Sequence, residues 1–291
     1  MTDLGLVVVD LPPDGPAGVG PLAAAAEAAG ASAVWLTDHQ RWHRPCVDVI
    51  GGLHAVAAAT SRCRLGPCVL QLPLRDLAGT AKSMAYLGAL AGDRLVVGVG
   101  VGEHRREYEL CGHGDRFARR GRLLDAGIAE LRERWAPSGD DERLVLAPTA
   151  TPPIWVGGRS AAARRRAAQL GDGWIPHLCR ADWFAAEVPR LAADVRAAGR
   201  DGEAFTRAAA VAVFVEEVEP ETDPHAWLGR LYDLPPATFA RAVVRGTATQ
   251  VVSELDAFAA AGADHLALVV AGDRPVDHLR AVVAERRARG D

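Results

Sequence analysis

Eight short apolar segments, each followed by a segment of helical character, constrain the fold of this chain more than any other feature. The segments are apolar at consecutive positions, which is typical of parallel strands that are covered on both faces. Eight β/α units in 291 residues, without a linker-like break, predict a single α/β domain over residues 1–291, a (β/α)8 barrel of the TIM type. An open doubly wound sheet is the alternative. The strands are predicted at residues 4–9, 33–37, 64–72, 94–101, 154–156, 173–175, 209–216 and 265–270.

Helical segments occupy most of the chain between these strands. Two connections differ from them: residues 137–151 are polar, with room for a short extra strand, and the proline-rich residues 217–246 are predicted to be irregular with short helices. The helices are predicted at residues 17–29, 48–59, 79–90, 116–135, 160–171, 182–198, 247–261 and 275–289.

The composition of the chain argues against several classes of partner. The formal net charge is −4, which disfavours nucleic acid or an anionic membrane surface. The 5 cysteines are scattered without a CxxC pair, as expected for reduced thiols in the cytoplasm. No basic region precedes the first apolar run, and no apolar segment is long enough to span a membrane. We therefore expect a cytoplasmic protein that acts on a small molecule.

Polar residues directly after the predicted strands are the catalytic candidates, because chemistry in a (β/α)8 barrel lies at the C-terminal ends of the strands. Asp38 and His39 follow the second strand, and Glu103 follows the fourth. An imidazole exchanges protons readily near neutral pH, and a neighbouring carboxylate can hold its tautomer. We predict His39, Asp38 and Glu103 as catalytic residues. The alternatives are that His39 is a hydrogen-bonded histidine at the barrel rim with no part in catalysis, and that Glu103 is a solvated carboxylate.

Further polar and aromatic side chains near the same strand ends are candidates for the walls of a substrate pocket. Trp42, His43, Trp174 and His177 belong to this group, although an aromatic residue at a strand end can equally belong to the core. His39 and His43 together with Asp38 also carry metal-ligating atoms. Their spacing matches no zinc motif, so no metal is predicted.

The stretch PPIWVGGRSAAARRRAAQLGDGWIP, residues 152–176, has the pattern of a strand that leads through two glycines into a helix. Such a turn can bind a phosphate with free backbone N–H groups and the helix dipole, and an ordinary strand-to-helix turn is the alternative. Ser160 can cap the helix. A second glycine-rich segment, Gly98, Gly100 and Gly102, clears one face of the fourth strand, against which a flat ligand can lie.

Five blocks of sequence, taken in order, resemble the luciferase-like family of flavin- and deazaflavin-dependent oxidoreductases. The resemblance covers nearly the whole chain, and its fold is a TIM-type barrel. The blocks are residues 23–39 (AAAAEAAGASAVWLTDH), residues 62–102, the predicted helix 116–135, residues 152–176 and residues 246–268 (GTATQVVSELDAFAAAGADHLAL).

The resemblance implies a flavin-type ring across the barrel mouth. The cofactor phosphate is then expected at Gly157, Gly158, Arg159 and Ser160, and Gly100, Gly102 and Asp38 are expected near the cofactor. The segment Cys68-Val69 is expected to pack against the ring. Members of the family often carry a cis peptide there, so we expect the Cys68–Val69 bond to be cis. A homodimer is also implied.

The cofactor is predicted as coenzyme F420, with FMN as the alternative. Asp38-His39 and Gly102-Glu103 are similar to the deazaflavin branch, in which the matching His and Glu act in proton transfer and a Trp shortly after the His shapes the site. Trp42 is one position nearer His39 than that pattern has it. No match to the residues that bind a sugar phosphate is found. We predict an F420-dependent hydride-transfer oxidoreductase. An FMN-dependent monooxygenase and a non-catalytic flavin-binding protein are the alternatives.

Overall fold

The chain is seen in a computed structural model that describes residues 2–136 and 151–290, where ten strands form one sheet. All predicted strands are present, the third as two pieces. Strand β9 was not predicted. The connection predicted at residues 137–151 lies, apart from residue 151, outside the described residues. The strands are β1 Asp3–Val8, β2 Ala33–Leu36, β3 Arg64–Pro67, β4 Leu70–Gln71, β5 Val97–Gly100, β6 Ile154–Gly157, β7 Gly173–Ile175, β8 Thr206–Val215, β9 Val243–Gly246 and β10 His265–Val270.

Helices follow the strands nearly as predicted. The helix expected at residues 116–135 begins with a 3-10 turn, Gly114–Arg119, and a short helix before it, α4, was not predicted. None of the described helices is long and apolar enough to cross a membrane. The helices are α1 Val19–Ala29, α2 Val49–Ala59, α3 Leu77–Ala91, α4 Arg105–Leu110, α5 Arg120–Trp135, α6 Ala161–Leu170, α7 Ala181–Ala197, α8 Pro224–Tyr232, α9 Ala248–Ala260 and α10 Pro275–Ala288.

The sheet is a nearly closed parallel barrel. Its strands lie in the order β3-β2-β1-β10-β8-β7-β6-β5-β4, and β9 pairs with β8 outside this path. Because β3 and β4 are consecutive pieces of one segment, the two ends of the path meet. A parallel bridge also pairs Leu65 on β3 with Leu95, two residues before β5. The barrel prediction is therefore confirmed, and the open sheet is wrong. All C-terminal strand ends lie at one mouth.

Large aromatic side chains fill the interior of the barrel. Trp35 on β2 and Trp155 on β6 have ring centroids 5.2 Å apart, although these strands are not neighbours in the sheet, so the contact crosses the interior. The indole Nε1 of Trp35 donates to His265 Nε2 at 3.0 Å, and burial lowers the pKa of His265 to about 3. The neutral imidazole is therefore an acceptor inside the barrel, and the remaining interior is apolar.

The third strand is interrupted at the Cys68–Val69 bond, which is cis as expected. A Cβ on Gly100 would lie 2.5 Å from the Val69 side chain, and one on Gly157 would lie 2.9 Å from it. A Cβ on Gly98 would collide with the Pro67 carbonyl oxygen. Gly98 and Gly100 thus make room for the neighbouring strand and for Val69. The glycines were predicted to clear this face of the strand for a flat ligand. That reason is wrong, because atoms of the protein itself fill the space.

The segment predicted as irregular, residues 217–246, forms α8, a 3-10 turn Pro236–Phe239 and β9. Asp223 caps α8 by accepting from the His225 backbone N–H at 3.0 Å. Trp227 Nε1 donates to Asp273 Oδ1 at 2.7 Å, which fastens the helix to the loop after β10. Helix α8 is therefore fixed over the barrel mouth, next to the strand ends that carry the candidate residues.

Candidate active site

A cleft of about 980 Å³, including its open entrance, lies at the C-terminal ends of the strands. Most of the predicted site residues meet here. The lining consists of Val9, Thr37, Asp38, His39, Trp42, Cys68, Val69, Gln71, Gly100, Val101, Gly102, Glu103, Gly157, Gly158, Ile175, His177, Leu231 and Tyr232.

His39 is held by Glu107, a residue of α4 that the sequence did not single out. His39 Nδ1 lies 3.1 Å from Glu107 Oε2, and the Glu107 side chain is 2% exposed. The carboxylate can only accept, so the hydrogen lies on Nδ1 of His39 and is donated to Glu107. In the neutral imidazole Nε2 of His39 then carries a lone pair, and no hydrogen bond engages Nε2 within residues 2–136 and 151–290. The imidazole is thus set up to accept a proton at Nε2.

Glu107 is ionised because it has four donors around it. Its Oε1 accepts the backbone N–H groups of Gln40 at 2.6 Å and Arg41 at 3.1 Å, and its Oε2 accepts from Gln71 Nε2 at 3.1 Å besides His39. Burial acts to raise the pKa of Glu107, but the hydrogen bonds from His39 and from the Arg41 backbone outweigh it and lower the pKa. A fixed negative charge therefore stands behind His39.

Asp38 has a different role from the one predicted for it. Its carboxylate is bound by Arg75 Nη2 at 2.6 Å and by the Gln71 backbone N–H at 2.8 Å, and its side chain is 1% exposed. Since Asp38 faces Arg75, it does not orient His39, and that part of the prediction is wrong. The pair instead ties the strand end at Asp38 to the segment after β4. Asp38 still lines the cleft, as expected for a residue near the cofactor.

Trp42 forms the outer wall beside His39. The two rings stack, with centroids 3.8 Å apart at an angle of 21°. His104 meets the other part of Trp42 edge-on at 4.8 Å, and its Nε2 lies 3.4 Å from Glu103 Oε1. This hydrogen bond lowers the pKa of Glu103 and raises that of His104. The Glu103 side chain is 80% exposed, so it presents a negative charge at the cleft entrance.

His177 and Tyr232 form a second polar pair in the cleft. His177 Nε2 lies 2.7 Å from the Tyr232 hydroxyl oxygen. Desolvation by the surrounding residues lowers the pKa of His177 to about 4 and raises the pKa of Tyr232. Both groups are therefore uncharged near neutral pH, and the Tyr232 hydroxyl donates to a neutral imidazole. His177 was predicted individually. Tyr232, at the end of α8, lies in the segment 217–246 that was expected to contact the substrate, but it was not singled out.

The turn between β6 and α6 has the geometry of an anion site. Gly158 has φ +115°, and a Cβ there would lie 2.9 Å from the Ala163 side chain. Ser160 caps α6 by accepting from the Ala163 backbone N–H at 3.1 Å, as predicted. Within the part of the chain that the structure describes, no acceptor is found for the N–H groups of Ala161 and Ala162. Arg159 extends beside them and donates to the Leu178 carbonyl at 3.1 Å.

Two predicted pocket residues lie outside the cleft. Trp174 is fully buried on the outer side of the barrel, where it packs against Trp183 and Phe184 of α7. His43 is exposed, and its Nε2 lies 3.2 Å from the Arg230 carbonyl oxygen on α8. Both predictions as cleft-lining residues are wrong. His43, His39 and Asp38 face different partners, so the metal alternative has no ligand set in these residues.

Cys68 lies next to the cleft floor but is not a nucleophile. Burial raises the pKa of its thiol to about 12, so it stays protonated at neutral pH. The Val69 side chain also reaches the floor, where it lies against Gly100 and Gly157. Cys68 and Val69 thus form an apolar surface in the middle of the cleft.

Comparison with known proteins gives the family. A model described as luciferase-like monooxygenase matches residues 9–226. The F420-dependent glucose-6-phosphate dehydrogenase of Nakamurella multipartita is 32% identical over 209 residues, which are 64% of this chain and 60% of that protein. An uncharacterized protein of Mycobacterium tuberculosis is 34% identical over 187 residues, 53% of this chain and 63% of that protein. The chain thus spans less than two thirds of the length of these curated relatives.

Solved structures with the same fold use either cofactor. An F420-dependent secondary alcohol dehydrogenase in complex with an F420-acetone adduct has a TM-score of 0.83 at 19% identity, with 98% of each chain covered. A type II Baeyer-Villiger monooxygenase from Pseudomonas putida in complex with FMN has a TM-score of 0.76 at 15% identity, covering 98% of this chain and 97% of that chain. At these identities the likeness establishes the fold.

Proposed function

The chain belongs to the luciferase-like monooxygenase family, and we propose that it is an oxidoreductase that transfers hydride between coenzyme F420 and a small organic substrate. The observation that carries the proposal is the unit of His39 and Glu107, which leaves a proton-accepting nitrogen at the cleft wall. The F420-dependent dehydrogenase among the sequence relatives adds support for this cofactor.

The cleft fits a flavin-type cofactor in two places. The turn Gly157–Ser160 offers free N–H groups at the start of α6, and Gly158 leaves the space that a Cβ would fill. The apolar surface of Cys68 and Val69 offers a flat support for a ring. We assign Gly157, Gly158, Arg159 and Ser160 to the phosphate end. Gly100, Gly102 and Asp38 then lie along the ring. The bound cofactor supplies the hydride acceptor or donor, which no side chain can provide.

In this proposal His39 moves the proton that accompanies the hydride. When an alcohol is oxidised, Nε2 of His39 takes the hydroxyl proton, and the Glu107 carboxylate stabilises the imidazolium that results. In the reverse direction the protonated imidazole returns the proton to a carbonyl oxygen. Trp42 keeps the imidazole plane fixed by stacking on it. Each of these groups acts from a position that the apo protein already holds.

Glu103 is assigned to a second proton-handling position at the cleft entrance. Its carboxylate is exposed and bound to His104, so it can pass a proton between the cleft and solvent. The hydrogen bond with His104 keeps it ionised. Glu103 thereby differs from Glu107, which is buried and holds the imidazole of His39 in place.

The choice between F420 and FMN is tested by direct binding. We expect full-length protein to bind coenzyme F420 clearly more tightly than FMN when each is titrated and followed by fluorescence. Binding of FMN alone would instead support a flavin monooxygenase, the second candidate, which the FMN-bound structural neighbour favours. Tight binding of either without turnover over a panel of alcohols and ketones would indicate a non-catalytic binding protein.

A further inference from the structure

One wall of the cleft has no part in the chemistry assigned to His39 and Glu103. It consists of His177 after β7 and of Leu231 and Tyr232 at the end of α8. The Tyr232 hydroxyl is the one phenolic group among the lining residues, and its bond to His177 Nε2 at 2.7 Å holds it in one orientation. The hydroxyl oxygen keeps lone pairs that His177 does not use.

The backbone that carries Tyr232 is itself fixed. Trp227 Nε1 binds Asp273 Oδ1 at 2.7 Å, and the Arg230 carbonyl oxygen meets His43 Nε2 at 3.2 Å. The Tyr232 ring packs on Phe239 with centroids 5.4 Å apart. The hydroxyl is thus positioned before any substrate binds, which reduces the entropy lost on binding.

The charges around the cleft disfavour an anionic substrate. None of the lining residues named above is an arginine or a lysine. Arg75 is bound to Asp38, and Arg44 is bound to Asp10. Arg159 stands at the turn assigned to the cofactor phosphate. The exposed carboxylate of Glu103 adds a negative charge at the entrance, which repels a phosphate or carboxylate group.

We propose that Tyr232, positioned by His177, binds the substrate by accepting a hydrogen bond from it, and that the substrate is an uncharged molecule with an apolar body and one hydroxyl group. Val9, Ile175 and Leu231 supply the apolar surface for that body. The assignment rests on the proposed function, since it takes the β6–α6 turn as the end that the cofactor occupies. It excludes sugar phosphates, even though one relative is an F420-dependent glucose-6-phosphate dehydrogenase.

A matched pair of probes tests the substrate class. Cyclohexanol and cyclohexyl phosphate differ in one phosphate group, and their binding to the full chain can be followed by calorimetry, first without cofactor and then with F420. We expect cyclohexanol to bind, and cyclohexyl phosphate to bind about tenfold more weakly or not at all. Without F420 the phosphate can also bind at the β6–α6 turn, so the F420-bound protein decides. There, equal or tighter binding of the phosphate, or no measurable binding of cyclohexanol, overturns the proposal.

Variants test the residues. Tyr232→Phe keeps the ring and its packing, and should weaken cyclohexanol binding about 2- to 10-fold through the lost hydrogen bond. Tyr86→Phe, on an exposed part of α3, should leave it unchanged. His177→Leu should act like Tyr232→Phe, whereas His177→Gln, which retains an acceptor, should recover most of the affinity. Identical affinity in Tyr232→Phe and Tyr86→Phe refutes the role of Tyr232.

The two proposals fail in different measurements. If F420 does not bind while the probe pair and the Tyr232 variants behave as expected, the proposed cofactor is wrong and the substrate class stands. If F420 binds tightly and the probes do not discriminate, the substrate class is wrong and the cofactor stands.

Discussion

Glu107→Gln is the substitution that best tests how His39 is set up. It removes one negative charge while keeping the size of the side chain. The amide oxygen can keep the contacts of Oε1 with the N–H groups of Gln40 and Arg41, at 2.6 and 3.1 Å. The amide nitrogen then replaces Oε2, which faces the donors His39 Nδ1 and Gln71 Nε2, both at 3.1 Å. Two donors therefore lose their acceptor.

The size of the effect follows from these contacts. Hydrogen bonds to a charged group contribute about 1.5–3 kcal/mol each. His39 can recover one of them by moving its hydrogen to Nε2, so that Nδ1 accepts from the new amide. We therefore expect the free energy of unfolding to fall by about 1–3 kcal/mol. The larger consequence is chemical, since Nε2 changes from acceptor to donor. General base catalysis of this kind contributes about 10²–10⁴ in rate, which is the expected loss of turnover.

The tautomer can be measured without knowing the substrate. ¹⁵N NMR of the imidazoles at a pH of about 8.5, where ordinary imidazoles are neutral, should show Nδ1–H for His39 in the native protein and Nε2–H in Glu107→Gln. Glu109→Gln, an exposed position on the same helix, is the control and should change neither tautomer nor stability. The same His39 tautomer in native protein and Glu107→Gln would refute the assignment of Glu107.

Three further outcomes are expected. His39→Ala should cut turnover by roughly 100-fold or more while the Kd of the cofactor stays nearly unchanged; unchanged turnover would remove His39 from the reaction. Gly158→Val should weaken cofactor binding by about tenfold or more. The backbone at residue 158 has φ +115°, and a valine Cβ there would collide with the Ala163 side chain. Gly199→Ala, where φ is +72° but the space around the Cβ is open, should leave cofactor binding unchanged. His265 has a pKa of about 3 in the folded protein, and an unfolded histidine titrates near pH 6.5. Below pH 6.5 the free energy of unfolding of the native protein should therefore fall by about 1.4 kcal/mol per pH unit more than that of His265→Gln. Parallel plots of unfolding free energy against pH for the two proteins would contradict this.

The fold was predictable because apolar runs and helix ends are local signals. Ser160 illustrates this, since its capping role depends on a residue three positions away. His39 could be identified as a candidate for a related reason: a polar residue directly after a buried strand has no place in the core. These inferences need only the neighbouring sequence and the rule that parallel strands end at one mouth.

The partners of the site residues were not predictable in the same way. Asp38 is adjacent to His39 in sequence, yet Glu107, 68 positions away, holds the imidazole. Neighbouring residues at a strand end point in different directions, so adjacency in the chain does not imply a hydrogen bond. Glu107 lies on a helix of only six residues that was not predicted, directly after Arg105 and Arg106. Tyr232 lies in the segment 217–246, which was expected to contact the substrate, but no local pattern distinguishes it from the other residues there.

The pattern of Gly98 and Gly100 correctly located a close approach to the backbone, but the reason inferred for it was wrong. A glycine face on a strand indicates that something approaches the backbone closely, but the pattern does not distinguish a ligand from another part of the protein. Here Val69 and the Pro67 carbonyl approach, and Val69 then offers its own apolar side chain to the cleft. The glycines therefore act on a ligand through Val69. A larger residue at position 100 would displace Val69 before it touched a cofactor. The loss of cofactor binding caused by Gly100→Ala should therefore be smaller when Val69 is replaced by alanine. The glycines and the Val69 side chain together form one apolar surface of the cleft.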